Sequence, residues 1–209
     1  MESDNNIKVT LVGYGGHAVV VADTALALGI QLKYYVNKSD VNHNIFQLKY
    51  LGDEWSDNFD QWDECSFILG IGSNSARMKV ADLIIDKGSK LETIIHPSSS
   101  ISSLSDIGEG VFIARNVSIN PRVKIGANSI LNTGCIIEHD CEISEGVHIA
   151  PGAVLAGNVK VGKKTFIGMN ASIKQGVVLG DNVVVGAGAV VLENLPNGCI
   201  VIGNPVKII

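Results

Sequence analysis

The sequence predicts an α/β unit followed by a parallel β-helix, and three patterns in the chain of 209 residues support this. Strand-like and helix-like segments alternate over residues 7–90. An aliphatic residue then recurs at every sixth position from Ile95 to Val191, at seventeen positions without a break. Glycine, asparagine, aspartate and lysine collect between these positions, and these residue types are typical of tight turns. A period of six does not fit an α-helix and indicates a short stacked repeat.

The first unit, residues 1–93, has the alternation of a small parallel sheet covered by helices. The predicted elements are strands over 7–12, 31–36 and 66–71 and helices over 17–28 and 74–87. The first helix is expected to bury an apolar stripe of Val20, Val21, Thr24 and Leu28. Gly29 suits the end of that helix, because glycine readily adopts the left-handed conformation found there.

The second unit, residues 94–209, is predicted to be all-β. Each hexad supplies one short strand and one turn, and three hexads, or 18 residues, complete a coil. Successive coils stack as parallel strands about 4.8 Å apart. The aliphatic positions and a second set of small residues, which includes Cys135 and Cys141, point inward and fill the bore. We therefore expect both cysteines to be core residues.

Composition excludes several classes of function. The net charge is −5 and no basic run occurs, which argues against a nucleic-acid partner. No apolar run reaches the roughly 18 residues of a membrane span. Residues 1–6 are polar and lack the features of a signal peptide, so we expect a cytoplasmic protein. None of the four cysteines forms a C-x-x-C pair, and we expect no metal site.

The hexad pattern resembles the bacterial hexapeptide repeat of the left-handed β-helix acyltransferases. The resemblance implies an α/β unit joined to a left-handed parallel β-helix, and it implies acyl transfer. A β-helix that serves only as a scaffold is the alternative.

Two histidines, His139 and His148, fall on corners or outer faces of the predicted prism. Transfer of an acetyl group from a thioester to an amine needs a base, and histidine has the appropriate ordinary pKa. A carboxylate on the other ring nitrogen would orient the base. Asp140 is preferred to Glu138 for this, because a corner can bring adjacent side chains together. One coil further on, Gly157 lies beside His139, and its N–H is a candidate donor to the thioester carbonyl.

The segment 132–141, together with His148 and residues 156–158, resembles the signature of sugar acetyltransferases related to sialic acid O-acetyltransferase. Some members N-acetylate nucleotide-linked 4-amino-4,6-dideoxy sugars. The resemblance implies that the enzyme uses acetyl-CoA and is a homotrimer with active sites between subunits. The resemblance implies that His139 is the general base and that Asp140 tunes its basicity. It also implies that His148 and Gly157 contact acetyl-CoA, and that Met169 and Ala187 line the path of the pantetheine.

A glycine turn over residues 13–18 follows the first strand and nearly matches G-x-G-x-x-[GA], a phosphate-binding pattern. A nicotinamide dinucleotide would favour an acid at the end of the second strand, where this chain has Asn37 and Lys38. The resemblance instead implies that the substrate's nucleotide lies against Gly15, Gly16, His17 and Gly72. Relatives that bind UDP-sugars carry two aspartates in place of Asn37 and Lys38, so UDP, dTDP and GDP all stay open.

The leading hypothesis is an acetyl-CoA-dependent N-acetyltransferase acting on the 4-amino group of a nucleotide-linked 4-amino-4,6-dideoxy sugar. The alternatives are O-acetylation of sialic acid or a similar free sugar, a non-catalytic subunit that binds sugar nucleotides, and nicotinamide-dependent chemistry. Arg77, on the second predicted helix, is either a surface charge or a phosphate contact.

Overall fold

The computed structural model describes residues 7–209 and shows an α/β unit followed by a parallel β-helix, as predicted. Residues 1–6, which support the prediction of a cytoplasmic location, lie outside the described residues. Among the residues described, no helix is long and apolar enough to cross a membrane. The last strand of the α/β sheet covers residues 90–91 and the first strand of the β-helix covers 94–95. The division at residue 93 stays a prediction.

The α/β unit is a five-stranded parallel sheet in the order β3-β2-β1-β4-β5. Its elements are β1 (Lys8–Val12), α1 (Gly16–Ala27), β2 (Tyr34–Val36), β3 (Lys49–Tyr50), a 3₁₀ turn (Trp62–Glu64), β4 (Cys65–Leu69), α2 (Asn74–Asp86) and β5 (Lys90–Leu91). The two helices and three longer strands match the predicted elements to within a few residues. The sequence did not predict β3 and β5, which are only two residues long.

The strand order creates a crevice at one end of this sheet. After β1 the chain crosses to β2 on one side, and after β4 it crosses to β5 on the other. The loops after β1 and β4 therefore diverge at the carboxyl ends of two neighbouring strands. Such a point of divergence is where open parallel sheets bind ligands. Gly15 and Gly72 lie on these two loops.

The β-helix contains short strands at six-residue intervals from residue 94 to residue 191, followed by two further strands. They are β6 (Ile94–Ile95), β7 (Ser100–Ile101), β8 (Asp106–Ile107), β9 (Phe112–Ile113), β10 (Ser118–Ile119), β11 (Lys124–Ile125), β12 (Ile130–Leu131), β13 (Ile136–Ile137), β14 (Glu142–Ile143), β15 (His148–Ile149), β16 (Val154–Leu155), β17 (Lys160–Val161), β18 (Phe166–Ile167), β19 (Ser172–Ile173), β20 (Val178–Leu179), β21 (Val184–Val185), β22 (Val190–Val191), β23 (Ile200–Ile202) and β24 (Lys207–Ile208). Strand β24 alone pairs antiparallel, on β23.

The predicted coil of 18 residues is confirmed by the register. Ile119 pairs with Ile137, which pairs with Leu155, and so on along each sheet. The aliphatic residue of each hexad points into the bore, as do Cys135 and Cys141. Burial raises the pKa of the Cys135 thiol to about 12 and that of Cys141 to about 11. Both cysteines are core residues, as expected, and neither has the ionised form that a nucleophile needs.

The three sheets give the prism three faces with different outer residues. The covered face lies under the α/β unit: Ile94, Phe112, Ile130, His148, Phe166 and Val184. The neutral face carries no charge on its strands: Ser100, Ser118, Ile136, Val154, Ser172 and Val190. The charged face alternates in sign over most of its length: Asp106, Lys124, Glu142, Lys160 and Val178.

Helix α1 joins the two units by packing between the α/β sheet and the covered face. Phe112 and Ile130 share one apolar cluster with the buried side of the helix. That side consists of Ala18, Val21, Ala22, Thr24 and Ala25. The predicted stripe was therefore wrong in part, because Val20 and Leu28 are each 41% exposed. Alanines occupy the contact because the backbone passes close by: a Cβ added at Gly70 would lie 2.8 Å from that of Ala18.

Candidate active site

His139 and Asp140 form a hydrogen-bonded pair at the corner between the neutral and charged faces. The corner follows β13, and Asp140 adopts a left-handed conformation with φ of 62°. This conformation breaks the alternation of a strand, so the two adjacent side chains meet. The ring Nδ1 of His139 lies 2.7 Å from Oδ2 of Asp140. The imidazole stays accessible, since the side chain of His139 is 52% exposed.

Gly157 lies directly against the His139 ring, one coil further on. A Cβ added at Gly157 would lie 2.7 Å from Cε1 and 2.8 Å from Nε2 of His139, closer than real side chains approach. Glycine is therefore required for the ring position seen here. The next backbone N–H, that of Asn158, donates to the carbonyl oxygen of His139 at 2.9 Å. In the described part of the chain, no carbonyl accepts from the N–H of Gly157.

Arg122 is a fourth member of this corner, which was not predicted from the sequence. Its Nε and Nη2 donate to the two carboxylate oxygens of Asp140 at 2.6 and 2.8 Å. Arg122, followed by the His139 ring, holds the pKa of the Asp140 carboxyl well below its usual range. Because Arg122 precedes Asp140 by one coil of 18 residues, the arithmetic that links His139 to Gly157 could have found it.

The glycines assigned to the nucleotide line the crevice of the α/β unit. Gly15 caps α1 without a side-chain hydrogen bond, and a Cβ added at Gly15 or Gly16 would meet nothing within 4 Å. The start of α1 is therefore open, with backbone N–H groups suited to an anion. Across the crevice, Gly72 borders a cleft of about 390 Å³. Its other lining residues are Ser73, Asn74, Ser75, Lys164, Phe166, Asn182 and Val184.

His17 and His148 meet where the α/β unit covers the β-helix. Their ring centroids are 6.0 Å apart, and His148 is only 9% exposed. Burial, with a smaller contribution from Arg77, lowers the pKa of each ring to about 4. The Nε2 of His17 and the Nδ1 of His148 are buried without a hydrogen-bond partner among the described residues. Such unpaired buried groups are rare in folded proteins and suit a site that a ligand completes.

Arg77 is fully buried, which excludes the first of the two alternatives left open for it, a surface charge. Its guanidinium donates to the carbonyl oxygens of Asn128 and Gly146 in the β-helix at 2.7 and 2.9 Å. It also donates to those of Ile71 and Gly72 at 3.2 Å each. Burial lowers the pKa of Arg77 to about 10. Arg77 thus fixes the loop after β4 against the β-helix and leaves a positive charge under the crevice.

The remaining predicted site residues occupy two further places. Asn37 and Lys38 follow β2, at the same carboxyl edge as the crevice, where Asn37 is half-buried and Lys38 exposed. Met169 and Ala187 are exposed and stack one coil apart at the corner between the covered and neutral faces. The chain thus brings together His139, Asp140 and Gly157 at one corner. It does not bring them to His17, His148 and Gly72, which lie at the opposite, covered face.

Within residues 7–209, no group of three or more histidine, cysteine, aspartate or glutamate side chains is arranged to hold a metal ion. The groups that could act on a ligand here include an imidazole, backbone N–H donors and the open start of α1. These suit acyl transfer to a bound acceptor, which needs a base and a donor to the developing oxyanion.

Comparison with known proteins identifies the class. The family model for the bacterial transferase hexapeptide (six repeats) matches residues 105–139 and 158–193, and the model for the PglD N-terminal domain matches residues 8–84. PerB from Caulobacter crescentus, solved in complex with CoA and GDP-perosamine, is 34% identical over 97% of each chain, with a TM-score of 0.90. The acetyltransferase domain of PglB from Neisseria gonorrhoeae, solved with acetyl coenzyme A, is 30% identical over 97% of this chain and 98% of that one, with a TM-score of 0.90.

WeeI from Acinetobacter baumannii is 23% identical over 97% of this chain and all of its own, with a TM-score of 0.86, and this likeness shows the fold alone. The fold and the matched models together define an acyltransferase. The chain belongs to the family of hexapeptide-repeat sugar acetyltransferases that carry a PglD-type N-terminal domain, the family of left-handed β-helix enzymes expected from the sequence.

Proposed function

We propose that the protein transfers an acetyl group from acetyl-CoA to the 4-amino group of a nucleotide-linked 4-amino-4,6-dideoxy sugar. The observation that carries this proposal is the accessible His139 ring, with Nδ1 on Asp140 and the Nε2 edge against Gly157. PerB, which is related over the whole chain, was solved with CoA and GDP-perosamine. In this chain, Gly15, Gly16 and Gly72 border the crevice where the nucleotide would lie.

His139 acts as the general base in this proposal. Because Asp140 holds Nδ1, Nε2 is the nitrogen that takes a proton from the sugar amine as it attacks the thioester carbonyl. The negative charge that develops on the carbonyl oxygen is stabilised by the N–H of Gly157. Collapse of the tetrahedral intermediate breaks the carbon–sulfur bond, and the CoA thiolate takes the proton back from the imidazolium. No acyl-enzyme forms.

The crevice of the α/β unit would hold the nucleotide diphosphate. The open start of α1 and the glycine loop after β4 present backbone N–H groups, and the buried charge of Arg77 lies beneath. His17 and His148 supply unpaired nitrogens at the inner end. Asn37 and Lys38 border the same edge, where they would contact the base or ribose, and the choice among UDP, dTDP and GDP depends on that contact.

A homotrimer would complete this site. The crevice lies on the covered face, whereas His139 lies at the opposite corner of the same prism. A sugar held by one subunit therefore has to reach His139 of a neighbour. The neutral face runs between the corner of Met169 and Ala187 and the corner of His139. If three subunits pack through this face in a closed ring, the corner of Met169 and Ala187 in one subunit lies beside the corner of His139 in the next, with the pantetheine between them.

Replacement of His139 by asparagine tests the assignment of the base. We expect the His139→Asn variant to lower kcat by roughly 10²–10⁴, because a positioned base contributes about that factor. Release of CoA thiol from acetyl-CoA would be measured with UDP-, dTDP- and GDP-linked 4-amino sugars and with free sialic acid. The matched control is His43→Asn, at an exposed loop histidine. Wild-type turnover in the His139 variant would refute the proposal, and activity on sialic acid alone would favour O-acetylation.

A further inference from the structure

The corners of the β-helix use one recurrent backbone conformation. At every sixth position from residue 110 to residue 188, φ is positive, which gives fourteen left-handed residues. Eleven of these are glycine or asparagine, the types that adopt this conformation with least cost. The exceptions are Arg122, Asp140 and Lys164. An arginine in this conformation is strained relative to asparagine, and residues held in such conformations cluster at functional sites.

We propose that Arg122 is a positioning residue of the active site, which clamps Asp140 and so sets the orientation and basicity of His139. The guanidinium contacts both carboxylate oxygens, at 2.6 and 2.8 Å, and one of these oxygens also lies 2.7 Å from Nδ1 of His139. Two parallel hydrogen bonds fix the plane of the carboxylate, and the carboxylate in turn fixes the plane of the ring. This inference rests on the proposed function only for the role of His139 as base.

The clamp also decides the charge beside the base. An unpaired Asp140 would favour the protonated ring, whereas the charge of Arg122 offsets that of the carboxylate. A further charged residue, Glu138, precedes His139 directly in the chain. The coil that packs above carries Ala156, Gly157 and Asn158, none of which is charged. Arg122 is thus the cation that offsets the charge of Asp140 beside the His139 ring.

Two variants separate the charge of Arg122 from its geometry. Arg122→Asn removes the charge and introduces the residue that five of the other corners already carry, so the fold is retained. For this variant, we expect the acidic limb of the pH profile of kcat/KM to move to higher pH by roughly 0.5–1 unit, as for loss of one nearby surface charge. Arg122→Lys keeps the charge but cannot form the two parallel hydrogen bonds to Asp140. This variant should retain the acidic limb of the wild-type pH profile and lower kcat about 3–10-fold.

A measurement without substrate keeps this inference distinct from the proposed function. The imidazole resonances of His139, assigned by their absence in the His139→Asn variant, would be titrated by NMR in the full-length protein. The control is Lys160→Met, which removes a cation paired with a carboxylate on the charged face. A titration midpoint that does not move in Arg122→Asn overturns the clamp. A midpoint that moves while the wild type lacks acetyltransferase activity supports the clamp and overturns the proposed function.

Discussion

The absence of a side chain at position 157 determines where the imidazole of His139, the proposed base, lies. The ring of His139 rests against the backbone of Gly157, and any Cβ there would overlap Cε1 and Nε2. The opposite edge of the ring is held by Asp140, so the imidazole is confined between a hydrogen bond and a backbone surface. This confinement presents Nε2 at the corner, where the acetyl group and the amine would meet in the proposed reaction.

The Gly157→Ala variant tests that confinement. The added methyl group pushes the ring away from its position, and a displacement near 1 Å at a reacting atom can cost about 10²-fold in rate. We expect kcat to fall roughly 10–100-fold while the melting temperature stays close to that of the wild type, because the half-exposed His139 ring can move outward into solvent. The control is Gln175→Ala, one coil further along the same corner. Unchanged kcat in Gly157→Ala would show that the ring position does not matter.

Part of this corner could be derived from the sequence, and part could not. The strict period of 18 residues relates Gly157 to His139, and the turn position of Asp140 explains why adjacent side chains meet. The same period relates Arg122 to Asp140. The period places these two residues side by side, but it does not determine that their exposed side chains form an ion pair. The burial of Arg77 was equally hidden, because it depends on carbonyl groups from a loop and from the β-helix that only the assembled fold brings together.

At the scale of elements, the local pattern predicts which elements form better than it predicts which side they bury. Helix α1 was expected to bury Val20 and Leu28, yet the backbone at Gly70 comes so close that alanines occupy the contact. The β-helix was easier to predict, because each strand is fixed by the coil before it and the coil after it. Its inward residues follow from the period alone. Its outward residues differ from face to face, and that difference carries information about assembly.

The neutral face provides the test of the proposed trimer. A lysine introduced there by Val154→Lys would be buried between subunits without a partner, which is strongly unfavourable. We expect this variant to dissociate to monomers, measured by sedimentation, and to lose acetyltransferase activity at the same time. Val178→Lys, the matched substitution on the charged face, should leave both unchanged. A trimeric Val154→Lys variant, or a monomeric wild type, would exclude the neutral face as the subunit contact.

At the scale of the whole molecule, the two units are joined by buried polar groups as well as by apolar packing. Arg77 donates to carbonyl groups of both units, while His17 from α1 and His148 from β15 pack against each other beside it. Two neutral imidazoles and one cation therefore share a space with no carboxylate among the hydrogen-bond partners found for them in residues 7–209. A bound nucleotide diphosphate would supply the missing negative charge.

This junction makes the stability of the protein depend on pH. The pKa values of His17 and His148 are about 4 in the folded protein, below the ordinary value near 6.5 of an unfolded chain. Below pH 6.5 the unfolded chain takes up protons that the folded protein does not, so acidification favours unfolding until pH 4 is reached. The loss is at most about 3 kcal/mol per ring. Most carboxylates titrate nearer the lower end of this window, so the first part of the loss reports the two rings.

We therefore expect the melting temperature, measured at fixed protein concentration, to fall as the pH is lowered from about 6.5 to about 4. His17→Gln removes one of the two rings and should flatten the fall, whereas His43→Asn should not, because His43 lies on an exposed loop. A nucleotide diphosphate should move the wild-type curve to higher temperature, since a ligand of the folded state stabilises it. If the melting temperatures of the His17 variant and the wild type fall in parallel across this window, the buried imidazoles are not the cause of the pH dependence. The idea that a bound nucleotide diphosphate stabilises the contact between the two units through these imidazoles would then also be refuted.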